Sequence, residues 1–333
     1  MKLLKLLVGL VLLYALFRFG ILDLRSIALV AERPWLFALA VLLLFGTVPV
    51  QSLRWHLLLG ALGLRIRFAK TTQIVLASAF FNAFLPGGYG GDLVRATYVF
   101  RAAQRQRASA LLSLVIDRLT GLAGLLTLGV AVSVLHPLES TGLSGVALHV
   151  TAAAFVLGNA VLVLYGHRMA RFVAQRFPGR LARLAAGLDD VSNALETYLR
   201  RWPHLVAAWA LSLLLFAMSI AGLLLVVAIL RIGSLSMAQY TIAGVWSILV
   251  NSLPVTPGGI GVGESAFAQL SLRLETVASG APYATVFLVY RATTILATVP
   301  GVIAYLTYRQ ELIAYDAAHL APRASASRDI QHP

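Results

Sequence analysis

Six apolar runs dominate this chain, at 3–19, 35–59, 109–134, 146–165, 204–230 and 282–308. A helix needs about 20 apolar residues to cross a hydrocarbon core of about 30 Å, and each run meets or approaches that length. In lipid every backbone N–H and C=O needs a partner within the protein, so such runs fold as α-helices. Only 12% of the 333 residues are charged, about half the share in an ordinary soluble domain. The fold class is therefore all-α: a polytopic membrane protein with about six full transmembrane helices. The first run begins "MKLLKLLVGL" like a secretory signal but lacks an A-x-A-like cleavage site, so it is read as a retained helix.

The net charge is +14, and 24 of the 27 basic residues are arginine. These arginines flank apolar runs, which points to topology and anionic headgroups, with no nucleic acid as partner. Lys2 and Lys5 precede the first run, and Arg65, Arg67 and Lys70 follow the second. Arg101, Arg105 and Arg107 precede the third, 135–145 carries no Lys or Arg, and 166–203 carries seven arginines. The positive-inside bias then places the N-terminus, 60–70, 101–108 and 166–203 in the cytoplasm, and 135–145 outside. The segment 18–34 fits poorly as an outside loop. Residues 166–203 read as amphipathic helices along the inner headgroups, and 311–333 as a disordered cytoplasmic tail.

Two apolar stretches remain, about 71–100 and 238–272. They hold "NAFLPGGYGGDLVR" at 82–95 and "NSLPVTPGGIGVGE" at 251–264. The first begins and ends in the cytoplasm. Its run 71–84 reaches only about 21 Å as a helix, too short to cross. Both stretches are expected to be re-entrant hairpins entering from opposite faces. Laying Pro86 on Pro257 sets them 171 residues apart, the pattern of an inverted repeat within one domain, 1–310. The tip glycines Gly87, Gly88, Gly258 and Gly259 would expose N–H groups able to bind an anion.

Three acids and three arginines fall at these tips or within spans: Asp92, Arg95, Asp117, Arg118, Glu264 and Arg291. Ionised groups there cost at least about 2.5–3.5 kcal/mol each unless paired or wet, so they mark a functional path or a set of bundle locks. Asp92 and Arg95 could pair at i, i+3. Asp117 would meet Arg291 or Arg95, and Arg118 would meet Glu264 or Asp92. Asn82 and Asn251 precede the tips and would cap freed backbone groups. Trp55 and His56 beside Arg54 read as an interface anchor. Cysteine is absent and the seven histidines are scattered, so neither a metal nor a cofactor is expected, and no catalytic group is assigned.

The segments "RW" at 54–55, "NAFLPGGYGGDLVR", "VIDRLTGL" at 115–122, "PVTPGGIGVGE" and "YRATT" at 290–294 together resemble the lysylphosphatidylglycerol synthase transmembrane-region, or flippase-like, family. The resemblance covers roughly 5–308. It implies a bacterial inner-membrane protein that moves lipid between leaflets, with substrate contacts at Asn82, Gly87, Gly88, Asp92, Arg95, Asp117, Arg118, Gly258, Gly259, Glu264 and Arg291. Aminoacyl transfer, done in that family by a separate soluble domain, is not carried over. Gly263 stands where the family commonly has a basic residue.

The expectation is a non-enzymatic flippase for a phosphate-bearing lipid: a phospholipid, an aminoacyl-phospholipid or a polyprenyl phosphate. The alternatives are an integral-membrane enzyme and an accessory subunit in lipid or lipid-linked glycan synthesis. A homodimer or a separate cytoplasmic synthase would be the protein partner.

Overall fold

The computed structural model describes residues 24–84, 90–102, 107–136, 146, 149–158, 161, 165, 166, 168, 172, 182–252, 261–275 and 281–307. Five helices come first: α1 Leu24–Glu32, α2 Pro34–Ala61, α3 Phe68–Phe84, α4 Gly90–Ala102 and α5 Arg107–Leu135. An apolar helix α6 covers His149–Gly158. Then follow α7 Ala182–Arg200, α8 Trp202–Leu230, α9 Met237–Asn251, α10 Val262–Leu274 and α11 Tyr283–Thr298. After a turn at Val299, helix resumes to Thr307.

Among the described residues, four helices are long and apolar enough to cross a membrane: Pro34–Ala61, Ala108–Leu135, Trp202–Leu230 and Tyr283–Thr307. Each matches a predicted run to within two residues at either end. The predicted run 3–19, the glycines Gly87, Gly88, Gly258 and Gly259, and the tail 311–333 lie outside the described residues. Of the run 146–165, the continuous described part is α6. The awkward segment 18–34 contains helix α1, and Arg33 ties the start of α2 to α8 by donating to the Ala228 carbonyl at 3.2 Å.

Helices α2 and α8 pack along their lengths, and their contacts fix the relative direction. Near the start of α2, Arg33 meets Ala228, while Leu44 packs on Gly222 and Gly46 on Met218. Further on Arg54 meets Ser212, and at the end Arg201 donates to the Ala61 carbonyl at 3.1 Å. Numbers rise along one helix as they fall along the other, so α2 and α8 are antiparallel. Gly46 and Gly222 allow this closeness, since a Cβ on either would lie within 3.0 Å of the neighbouring helix, and Gly124 does the same for α5 against α8. Small residues play this part in lipid, where burying oil against oil supplies no drive.

The order long, short, short, long occurs twice, as α2–α3–α4–α5 and α8–α9–α10–α11. Packing between the two halves is reciprocal: α5 lies on α8 and α9, while α11 lies on α2 and α3. Such exchange of equivalent contacts is what a two-fold relation produces.

Helix α7 corrects the expectation of a purely headgroup-bound connection. Ala194, Leu195 and Tyr198 are buried with Leu58, Ala61, Ile116 and Ala208. The Tyr198 hydroxyl donates to the Leu58 carbonyl at 3.1 Å. Burial raises its phenol well above the ordinary range, so it stays a neutral donor. An amphipathic pattern alone does not say whether lipid or protein covers the apolar face.

Candidate functional site

The short helices form two hairpins, α3–α4 and α9–α10. Their arms of 17, 13, 15 and 13 residues reach about 20–25 Å at 1.5 Å per residue. In the first hairpin, the Gly91 N–H donates to Asn82 Oδ1 at 2.7 Å. A Cβ on Gly91 would stand 2.2 Å from the Ser78 carbonyl oxygen, so only glycine allows the arms to close. In the second, a Cβ on Gly263 would stand 3.1 Å from Asn251 Oδ1 and 2.5 Å from Phe287 Cε1. A side chain on Gly263 therefore has no room here.

Each of these glycines precedes a carboxylate in the first turn of its helix, where the macrodipole favours negative charge. Asp92 accepts from Arg118 Nε. Glu264 accepts from Arg291 twice, Nε to Oε1 at 2.5 Å and Nη2 to Oε2 at 3.1 Å. Arg291 Nη2 also donates to Asn251 Oδ1 at 2.8 Å. Glu264 Oε2 further accepts the N–H of Gly261 at 2.9 Å, a residue whose φ of +86° suits glycine. The constellation Asn–Gly–carboxylate–Arg is thus built twice, on α3, α4 and α5 and again on α9, α10 and α11.

Asn82 caps a backbone N–H as expected, whereas Asn251 holds a guanidinium. The two ion pairs differ in setting: side-chain exposure is 34% and 23% for Arg118 and Asp92, against 11% and 8% for Arg291 and Glu264.

A deeper network lies beside the first pair. Asp117 accepts from Arg54 Nε at 2.7 Å and Nη2 at 3.1 Å, and from Arg95 Nη1 at 2.9 Å. Arg54 also donates to Ser212 Oγ at 2.9 Å, and the Arg95 guanidinium lies 5.1 Å from the Trp55 ring centre. Asp117, Arg95 and Arg54 are only 2%, 3% and 4% exposed.

Asp117 meets Arg95 and Arg118 meets Asp92, each one of the two partners expected for it. The i, i+3 pairing of Asp92 with Arg95 gives way, because α4 presents both residues to α5, where Arg118 and Asp117 answer them with opposite signs. Trp55 is fully buried and Arg54 nearly so, so neither anchors at an interface. Arg54, part of the "RW" motif at 54–55, was not among the expected substrate contacts. An arginine well inside an apolar run was itself the signal, obscured by the neighbouring Trp and His that mimic a headgroup belt.

A cavity of about 220 Å³ joins the halves. It is lined by Ala79 and Asn82 of α3, by Ile248 and Asn251 of α9, and by Phe287, Tyr290, Arg291, Thr294, Ile295 and Thr298 of α11. Of the expected substrate contacts, Asn82 and Arg291 reach it directly, and Glu264 does so through Arg291. Arg95, Asp117, Arg118 and Asp92 are not among its lining residues. A guanidinium with a carboxylate and an amide on its donors is a forked receptor that suits phosphate as well as carboxylate.

Long apolar helices enclosing paired charges and a largely apolar cavity with Asn82, Asn251 and Arg291 in its wall define a polytopic helical membrane protein. The family model of the lysylphosphatidylglycerol synthase TM region matches residues 2–301, and the chain belongs to that family. No curated protein matches the chain, and no solved structure does.

Proposed function

We propose that this protein moves a phosphate-bearing lipid between the leaflets of a bacterial inner membrane, as a transporter rather than an enzyme. The observation that carries the reading is the duplicated Asn–Gly–carboxylate–Arg unit, with Asn82, Asn251 and Arg291 lining one cavity between the hairpins. The antiparallel packing of α2 and α8 supports an inverted repeat whose axis lies in the membrane plane. The hairpins are then re-entrant, one from each face, with arms too short to cross. Arg118 is eleven residues into α5 and Arg291 eight into α11, depths of about 16 and 12 Å along their helices. Both positions fall near the middle of a core of about 30 Å.

The cavity is smaller than the about 300–1,000 Å³ of pockets that enclose a whole drug-sized ligand. It therefore suits a headgroup whose acyl or prenyl tails stay in lipid. In the empty state Asp92 and Glu264 occupy the guanidinium forks. An arriving phosphate displaces a carboxylate from its arginine, and Glu264 keeps its bond from the Gly261 N–H while released. Passing the headgroup from one unit to its equivalent exchanges one face for the other. The driving force is a lipid gradient, an ion or the membrane potential. Positive-inside bias puts the N- and C-termini in the cytoplasm.

The test is transport in reconstituted vesicles carrying a fluorescent phospholipid, with a membrane-impermeant quencher added outside. Wild type should expose the inner-leaflet probe to quenching, and Glu264→Gln should not, while its thermal unfolding in detergent stays near wild type. Wild-type transport by the Glu264→Gln protein, or a lipid product of altered mass from wild type, would overturn the reading.

A further inference from the structure

The last crossing helix is broken, and the break falls where the two hairpins meet. Proline has no N–H, and its ring crowds the carbonyl four residues back. Pro300 therefore cannot donate to Leu296, whose carbonyl instead takes the Val299 N–H at 3.3 Å. The Ile295 carbonyl accepts the Thr298 hydroxyl at 2.8 Å when counted from Oγ1, a back-bond of the kind that bends helices. Helix then resumes, with Val302 donating to the Val299 carbonyl at 3.0 Å. The first half has no such break. With Arg118 set against Arg291 along the chain, Pro300 falls against Thr127, inside the continuous helix α5.

The two segments of the broken helix are fastened to different hairpins. Tyr283–Thr298 is held to the second by Arg291, through Glu264 and Asn251, and by the Phe287 ring, 5.7 Å from that of Phe267. Residues 300–307 are held to the first. Gln73 Nε2 donates to the Ala304 carbonyl at 3.1 Å, and the Phe81 and Tyr305 rings meet edge-on at 4.7 Å. A Cβ on Gly301 would stand 2.3 Å from the Leu76 carbonyl oxygen, so glycine is what lets this segment lie on α3. Among the described residues, α3–α4 and α9–α10 share no packed face. The cavity stands between them, with Thr298, beside the break, in its wall.

A joint whose two sides are bolted to different bodies passes motion from one to the other, and a few backbone positions suffice to absorb it. Resting on the transport reading above, we infer that Val299–Pro300 is the hinge on which the two hairpins move relative to each other. Residues 300–307 travel with α3 and α4, and Tyr283–Thr298 travels with α9 and α10. Bending there changes the gap between Asn82 on one side of the cavity and Asn251 with Arg291 on the other. That is the gap a headgroup has to cross. Pro300 and Gly301 are thus positioning residues, acting through the spacing of these three side chains.

The chain has no cysteine, so introduced pairs report on their own. Leu296 and Ile303 flank the hinge and are 48% and 57% exposed. Seven residues apart, they are separated by about 10 Å along a helix. Bridging Leu296→Cys to Ile303→Cys with a reducible bis-methanethiosulfonate linker of that length should slow fluorescent-phospholipid transport in vesicles about tenfold, and reductant should restore it. Bridging Gln73→Cys to Ala304→Cys, within one moving body, should leave transport as it was before the linker. Full transport with the hinge bridged, or loss with the second bridge, would overturn the inference. Pro300→Ala restores the missing donor and should slow transport too; an unchanged rate refutes the hinge. Spin labels on Leu93→Cys of α4 and Leu272→Cys of α10 separate the two ideas. Two distances that merge into one with Pro300→Ala uphold the hinge even where no lipid moves, and the functional reading then falls alone. The same distances with and without Pro300 sink the hinge, whatever the transport.

Discussion

The two halves of the molecule place the same framework around different locks. Aligning Asp92 with Glu264 and Arg118 with Arg291 along the chain sets Arg95 against Phe267 and Asp117 against Tyr290. The first half carries an ion pair at these places, the second a phenylalanine and a tyrosine that are both buried. Phe267 lies 5.7 Å from Phe287, and Phe287 lies 5.5 Å from Tyr290, centre to centre. The contrast teaches that helix geometry demands a filled junction here but not its chemistry. Apolar packing suffices for stability, so the ionic version is kept for what charge can do. Buried ion triads elsewhere are replaceable by apolar residues of similar size at little or no loss.

The comparison is open to direct attack. The largest effect belongs to Asp117→Ala, which strands two buried guanidinium groups. It should cost about 3–5 kcal/mol, read as a drop in denaturation midpoint or a failure to accumulate. Phe267→Ala is the matching cut in the second half. Its cavity is felt, but transfer from water contributes little in lipid, so about 2 kcal/mol is expected from the same measurement.

Next come the two hairpin glycines. Gly91→Ala drives a methyl against the Ser78 backbone, while Gly263→Ala meets only the side chains of Phe287 and Asn251. Backbone cannot step aside and side chains can, so about 2 and about 1 kcal/mol are expected, in that order. Equal effects would show that the two hairpins do not close alike.

The smallest stability change belongs to an apolar replacement of the whole lock: Arg54→Val, Arg95→Phe and Asp117→Tyr together. Unfolding should move by less than about 1 kcal/mol, while lipid transport in vesicles is lost. A stable triple variant that still transports lipid would leave the ionic lock without a purpose.

The four long helices were legible because an apolar run sets both its structure and its ends: 204–230 is met by Trp202–Leu230. The hairpin arms were legible too, since Pro86, Pro257 and the tip glycines interrupt runs too short to cross. Partner choice was legible only as alternatives. Asp92 has Arg95 within reach on its own helix, and only the packing of α4 on α5 sends them to separate partners. Arg54 was hidden for a similar reason, because burial of its face of α2 depends on α5 and α8, which are far away in sequence. The reciprocal roles of Asn82 and Asn251 needed the structure as well. One caps a backbone N–H and the other holds Arg291, although both precede their tips in the same way.

The central claim is that a phosphate headgroup enters between the hairpins and is held by the arginines paired with their carboxylates. Native mass spectrometry of protein purified in mild detergent tests it most directly, comparing wild type with Arg118→Ala and Glu264→Gln. Wild type should retain one anionic lipid class that both variants lose. Unselective lipid, unchanged in either variant, would contradict the account and reduce Asp92, Arg118, Glu264 and Arg291 to bolts of the helical bundle.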